Sequence, residues 1–380
     1  MFTRQFVTRD AHPDPTALRA ALDNDPQLLL VFSGLGLLRD GALAAALTEA
    51  FPSARVAGCS TAGEIHGAGV DSGSCVVTGI HFDDVACRVV ESHVPELGAS
   101  FDAGVDLGGQ LQRDGLRAVL LFGRGVNING SALIDGLVER IGRDIPISGG
   151  LAGDDGAFVE TLTLGPSGVA ADGVVAVGLY GAALRVGHGS YGGWQPYGPA
   201  RKVTRCDGNV LLELDGEPAL NIYKAYLGEY AGGLPASGLL FPFEMLGRDH
   251  DETGLIRTIL GVSEEDGSLI LAGDIDPDGY LRLMHATTDG LTDGAARAAE
   301  RAGSGFPGEI GLALLVSCVG RKLVMGDLVD DEVDAVVEAV AGSTVVTGFY
   351  SYGEISPFSN TTDCKLHNQT MTVTFLGEAG

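Results

Sequence analysis

Basic residues are scarce in this chain of 380: 24 Lys and Arg stand against 50 Asp and Glu, a formal net charge of −26. With no Lys/Arg cluster to track a phosphate backbone, nucleic acid is excluded as a partner, and an anionic membrane surface is disfavoured for the same reason. The acidity reads instead as a solubility feature. No apolar run approaches the roughly 20 residues that cross a bilayer. Met1-Phe2-Thr3-Arg4-Gln5-Phe6 lacks the apolar stretch and small-residue cleavage site of a signal peptide, so the chain is expected in the cytoplasm. The six cysteines, Cys59, Cys75, Cys87, Cys206, Cys318 and Cys364, form no C-x-x-C pair. That removes the usual zinc, iron–sulfur and covalent haem spacings and makes most of them reduced, buried hydrophobes.

Catalytic and cofactor motifs are missing too. There is no Walker A lysine motif. Gly187-His188-Gly189-Ser190-Tyr191-Gly192 fits G-x-G-x-x-G, but Gly193-Trp194-Gln195-Pro196 cannot cleanly open the helix that a dinucleotide site requires. The eight histidines make no H-E-x-x-H or H-x-H pair, so a multi-histidine metal site is not indicated. One histidine suffices to ligate a haem iron. His188, His285 and His367 have apolar or aromatic neighbours and are the candidates, weighed against the plainer reading of packed, hydrogen-bonded rings. Gly58-Cys59-Ser60-Thr61-Ala62-Gly63 lies one residue off the G-x-S-x-G elbow, yet a strand follows it and no base can be assigned. A thiol-dependent enzyme using Cys59 is therefore the third-ranked reading, and the chain is expected not to be an enzyme.

What the sequence does contain is repetition. Gly58-Cys59-Ser60-Thr61-Ala62-Gly63-Glu64, Ser148-Gly149-Gly150-Leu151-Ala152-Gly153-Asp154 and Gly348-Phe349-Tyr350-Ser351-Tyr352-Gly353-Glu354 each end in a glycine followed by a carboxylate. Each is preceded by an apolar run, a helical stretch and a short extended segment, and followed by a β-branched run: Cys75 to His81, Gly173 to Tyr180 and Met371 to Leu376. The spacing predicts a strand, helix, strand, glycine turn, strand unit used three times. The fold class expected is α/β, with mixed α+β sheets. Between the second and third units, from Tyr180 to Leu312, lies a region without counterpart between the first two. It opens with a turn-dense stretch read as a long connection, continues with a hairpin around Asp207-Gly208-Asn209 and a helix begun by Pro218, and ends with strand-like segments and a helix from Asp289 to Ala302.

Glycine-carboxylate turns at strand ends bring backbone N–H groups and a carboxylate to the sheet edge where α/β folds place ligands; turn chemistry alone is the plainer reading. Arg321, in Ser317-Cys318-Val319-Gly320-Arg321, is expected to reach that edge and pair with Glu354 or a ligand carboxylate. The third turn is therefore expected to line the pocket.

At these residues the chain resembles the FIST family, named for F-box and intracellular signal transduction proteins. The likeness includes the three turns and Gly192-Gly193-Trp194 with Val203-Thr204. It continues through Glu213-Leu214-Asp215-Gly216-Glu217-Pro218-Ala219-Leu220, the Ser317–Arg321 stretch and His367-Asn368-Gln369-Thr370. The resemblance implies a two-part sensory module: an N-terminal extension at 1–24, a FIST N-terminal domain at 25–216 and a FIST C-terminal domain at 217–376. It further implies a haem-based nitric oxide sensor carrying haem b, without an effector domain of its own. The resemblance singles out no axial histidine; His188 is the first choice because its Gly-His-Gly setting permits close approach of a flat cofactor, and His285 and His367 follow. Such a sensor regulates a separate histidine kinase or cyclic-di-GMP enzyme and is a possible homo-oligomer. The alternative is a haem-free module for an amino acid or small carboxylate, with Arg321, Glu354, Tyr350, Cys318, Gly353 and Asn368 at the ligand.

Overall fold

The computed structural model describes residues 1–23, 25–67, 69–340, 344–358 and 362–379. Its organising rule is an exchange of strands among three like units. In the first sheet the spatial order is Phe2–Thr8, Cys75–His81, Leu28–Ser33, Arg55–Ser60, Thr163–Gly165, Gly168–Ala170. The second runs Ala86–His93, Gly173–Tyr180, Leu116–Gly123, Ile147–Leu151, Gly353–Pro357, Cys364–His367, and the third Leu184–Tyr191, Met371–Glu378, Leu312–Cys318, Val345–Ser351, Glu64–His66, Gly69–Asp71. In every sheet four strands come from one unit. The last two are the hairpin that follows a different unit's glycine turn. The first unit donates to the third sheet, the third to the second and the second to the first, closing a circle.

Each sheet contains one parallel pair, such as Leu28–Ser33 beside Arg55–Ser60, bridged by a helical crossover as parallel strands require. These strands are buried on both faces, which explains their unbroken apolar runs. Helices cover the outer faces. Ala42–Ala50 buries Leu43 and Leu47; Gly130–Ile141 starts at Asn129, whose side chain accepts from Ala132 N; Thr288–Gly303 starts at Thr287, which accepts from Gly290 N. The inner faces meet on the axis. There the rings of Phe32, Phe122 and Phe349 lie 4.7 to 6.2 Å apart, all fully buried, and each contributes roughly 1.5–3 kcal/mol of burial.

The expected threefold repetition and mixed α/β sheets are what the chain adopts. The region without counterpart is shorter than expected. Leu184–Tyr191 is a strand along the whole of Met371–Glu378, and Thr288–Gly303 is the third unit's first helix, equivalent to Ser100–Gln110 in the second. The stretch read as a turn-dense connection is thus a strand up to Tyr191. Its glycines mark close approach: a Cβ on Gly187 would stand 2.1 Å from Ala302 O, and one on Gly189 2.1 Å from Ala298 O.

The true insertion is 192–287. It forms an antiparallel sheet whose main path is Glu252–Arg257, Phe243–Leu246, Tyr280–His285, Arg201–Asp207, Val210–Leu214, Ser268–Leu271, Ile259–Ser263. Helix Ala219–Leu227 packs on it around Leu220, Tyr223 and Leu211. The hairpin predicted at Asp207 is present, with Asp207 opposite Val210. At the other end of the chain, Phe2–Thr8 and Pro15–Leu22 are the first unit's edge strand and helix.

Candidate functional site

The three glycine turns meet at one end of the axis and bond to one another through their backbones. Ala62 N donates to Tyr350 O and Tyr350 N to Gly63 O, both at 2.8 Å; Gly153 N donates to Ser60 O at 2.9 Å and Asp155 N to Thr61 O at 3.2 Å; Tyr352 N donates to Leu151 O at 3.1 Å. Each turn carboxylate then fastens the strand or loop behind it. Glu64 accepts from Thr61 Oγ1, from Ser74 N at 2.8 Å and from Ser74 Oγ at 2.9 Å. Glu354 repeats this with Ser351 Oγ at 2.8 Å, Thr370 N at 3.1 Å and Thr370 Oγ1 at 3.0 Å. Asp154 is shorter and instead gathers Phe158 N, Val159 N and Glu160 N at 2.7 to 2.9 Å, with Tyr352 OH. Burial pushes the Glu354 carboxyl up to about 8, although its hydrogen bonds and nearby Arg321 pull it back, and burial raises Glu64 as well.

Arg321 does not pair with Glu354. Its guanidinium donates through Nε at 2.9 Å and Nη2 at 2.6 Å to Glu332 Oε2, and further to Leu291 O at 2.8 Å and to Gly192 O. Glu332 also accepts from Ser317 Oγ at 2.9 Å and from Tyr350 OH, and both charged side chains are fully buried. Burial, then Glu332, drives the Tyr350 phenol far above its ordinary value; burial, then Glu354, does the same to the Cys318 thiol. Glu332 escaped the motif reading, although it lies on the buried stripe of its helix with Val333 and Val336. An acid on such a stripe announces a paired charge.

Lys322, the next residue, faces the other way and was also missed. Its ammonium donates to Ala62 O at 2.6 Å, Ser72 Oγ at 2.8 Å and Asp155 Oδ1 at 3.2 Å. It touches Gly63 and Asp155, two residues of a cleft of about 300 Å³ between the first and second turns that is also lined by Gly34, Gly36, Thr61, Glu64 and Asp154 among others. The open cleft therefore lies on the first two turns, and the third, with Gly353 and Glu354, is buried beneath the insertion. A second cleft, of about 260 Å³, sits on the insertion beside Arg201, Asn221 and Tyr226.

No histidine lines either cleft. His367 is 2% exposed and hydrogen-bonded through Nε2 to Ser356 O at 3.0 Å, and burial, aided by Arg257, lowers it to about 4. His285 ends a strand of the insertion opposite Gln195, with the edge of its ring on Tyr197. The glycines flanking His188 are pressed against helix backbone, so the space expected over them for a flat cofactor is taken, and the His188 side chain alternates to the other face of the sheet. Asn368 is buried behind the third turn. Cys59 is fully buried, and burial alone drives its thiol up, the opposite of what a nucleophile needs. Among the described residues no helix is long and apolar enough to cross a membrane.

Uncharacterized proteins of Mycobacterium bovis and Mycobacterium tuberculosis are each 26% identical over 232 residues, 59% of this chain and 59% of their own. An uncharacterized protein of Methanocaldococcus jannaschii is 36% identical over 100 residues, 25% of this chain and 19% of its own. The matched part thus spans little more than half the length of the mycobacterial relatives. Two solved structures align along the whole chain. One is cyanuric acid hydrolase from A. caulinodans, at 10% identity and TM-score 0.33 over 99% of its length. The other is a cyanuric acid hydrolase described as an evolutionary innovation by structural concatenation, at 9% identity and TM-score 0.36 over 100%. Because both are hydrolases, the expectation that this chain is not an enzyme is withdrawn; at such scores the likeness assigns it no reaction. Residues 27–217 match the FIST N domain and residues 219–357 the FIST C domain, and the chain belongs to the FIST family of sensory signal-transduction domains.

Proposed function

We propose that this chain senses a small zwitterion of the amino-acid class in the open cleft between its first two turns. The observation that carries the reading is the Lys322–Asp155 pair at 3.2 Å, whose Asp155 lines that cleft and whose Lys322 stands directly behind Asp155 and Gly63. An amino acid can exchange with it charge for charge, its carboxylate on Lys322 and its ammonium on Asp155, which is 72% exposed and free to turn. Occupancy has a route onward. Lys322 and Arg321 are neighbours on helix Val319–Met325, and Arg321 holds Gly192 at the root of the insertion and Leu291 in the next helix. Action on a histidine kinase or a cyclic-di-GMP enzyme in trans is supported by the family resemblance alone.

Haem does not fit the residues named for it: His367 is enclosed and bonded, the space over the glycines beside His188 is filled by helix backbone, and neither His188 nor His285 lines either cleft. A thermal-shift screen of the free amino acids tests the proposal. A ligand at about 100 times its dissociation constant adds roughly 2.7 kcal/mol, and Lys322→Met abolishes that gain. No shift with any amino acid, or an unchanged shift in Lys322→Met, sinks it. Appearance of a Soret band on haem addition, lost in one His→Ala variant, restores the haem reading.

A further inference from the structure

The open cleft has a counterpart in the third unit. The strand pairing sets Gly34 beside the first turn as it sets Cys318 beside the third: Gly34 N donates to Ser74 O, and Cys318 N to Thr370 O. Counting on from there, Gly36 corresponds to Gly320, Glu64 to Glu354 and Gly73 to Gln369. The last pair shares a left-handed backbone, at φ +73° for Gly73 and +63° for Gln369, a conformation that side-chain-bearing residues seldom adopt. In the first unit the corresponding positions line open space. In the third the Gln369 carboxamide lies over Gly320, where a Cβ would meet it at 2.4 Å, and the insertion closes the top. Trp194 Nε1 donates to Gln369 O at 2.8 Å, and Gln369 Nε2 to Leu239 O at 3.0 Å.

Gln369 Oε1, over Gly320, lacks a hydrogen bond, and so does Oδ1 of the adjacent Asn368; the two residues are 0% and 1% exposed. Rotating the Gln369 amide would forfeit its bond to Leu239, so Oε1 is held where no donor meets it. Buried acceptors without donors are rare. Two in succession mark a place that a donor belongs. The charge nearby is balanced, since Arg321 is matched by Glu332 and burial favours the neutral form of Glu354.

We infer that the third unit holds a second, lidded binding site, closed by the insertion and plugged by Gln369, which takes a small uncharged N–H donor of the carboxamide class. It is separate from the open cleft, and failure of the amino-acid screen would leave it untouched.

Cys318 reports on the lid. The full-length protein is alkylated with iodoacetamide and each cysteine is followed by peptide mass spectrometry. Cys318 is expected to react about tenfold faster than Cys59 and Cys364, as opening of the lid is local and cheaper than global unfolding. Gln369→Gly, which keeps the left-handed backbone and removes the plug, raises the Cys318 rate further. Unreactive acetamide slows Cys318 without slowing the half-buried Cys206. Equal protection of Cys318, Cys59 and Cys364 in both proteins overturns the lid. Rapid reaction that acetamide leaves unchanged, or that acetate or ethylammonium slows instead, overturns the ligand class.

Discussion

Glu332→Ala removes the acceptor at the centre of the third unit's buried charge network. The carboxylate receives four hydrogen bonds, two from Arg321 and one each from Ser317 and Tyr350. Removing it leaves a fully buried guanidinium facing only the carbonyls of Gly192 and Leu291. Breaking one side of a buried ion pair costs about 3–5 kcal/mol, and each hydroxyl left without an acceptor adds about 1–3 kcal/mol. Against a usual total of about 5–15 kcal/mol the loss is decisive. In urea denaturation followed by circular dichroism, a slope near 3 kcal/mol/M turns a 3 kcal/mol loss into a midpoint about 1 M lower. Arg321→Met combined with Glu332→Leu should recover the share owed to the unpaired charge, because an apolar pair no longer demands that a charge be solvated, but not the share owed to Ser317 and Tyr350, which still lack an acceptor. A Glu332→Ala midpoint within about 0.2 M of the parent, on the same slope, would refute the assignment of this pair as the third unit's anchor.

Stability should also depend on pH in two opposed windows. Glu354, held at about 8 against an ordinary 4.5, keeps a proton that the unfolded chain releases; its stabilisation is complete below 4.5 and is lost as pH rises to 8, with Glu64 acting in the same direction. His367, held at about 4 against 6.5, stabilises fully above 6.5 and loses that as pH falls toward 4. Between pH 6.5 and 8 the parent should therefore weaken by up to roughly 1.4 kcal/mol per unit, and urea midpoints of Glu354→Gln should vary less there. Equal slopes for the two proteins would contradict the buried, proton-bearing carboxyl. Gly58→Ala and Gly348→Ala should each prevent folding, since the new Cβ would stand 1.8 Å from Val31 O and Leu315 O, whereas Gly36→Ala meets nothing within 4 Å and should cost under about 1 kcal/mol. Soluble expression and midpoints of the three proteins decide the point.

The repeating unit was legible because its signals are local: apolar runs of strand length, a helical stretch, then glycine and carboxylate. The exchange of hairpins was not. Segments as short as Glu64–His66 and Thr163–Gly165 specify extended backbone but no partner, and the partner lies in another unit's sheet. Glycine was misread once, at Gly187 and Gly189, where it makes room for a helix and not for a cofactor. At the site, the importance of Arg321 and Glu354 could be read from the sequence, but not who holds whom. Arg321 is drawn to the acid that is dehydrated beside it, and Glu354 is satisfied by Ser351 and Thr370 before any cation arrives. Lys322 resembled an ordinary surface lysine until the fold set it against Ala62, Ser72 and Asp155.

The circular exchange of hairpins means that none of the three units owns a finished sheet. Cutting the chain between the second and third units would strip the second sheet of Gly353–Pro357 and Cys364–His367, and leave the hairpin Glu64–Asp71 with nowhere to dock. The first fragment would present unpaired backbone along Ile147–Leu151 and Glu64–His66, and the second along Val345–Ser351 and Gly353–Pro357, the kind of edge that recruits another chain. A fragment of this protein is thus expected to be sticky, and two complementary fragments made apart should find each other and close the circle without a covalent link.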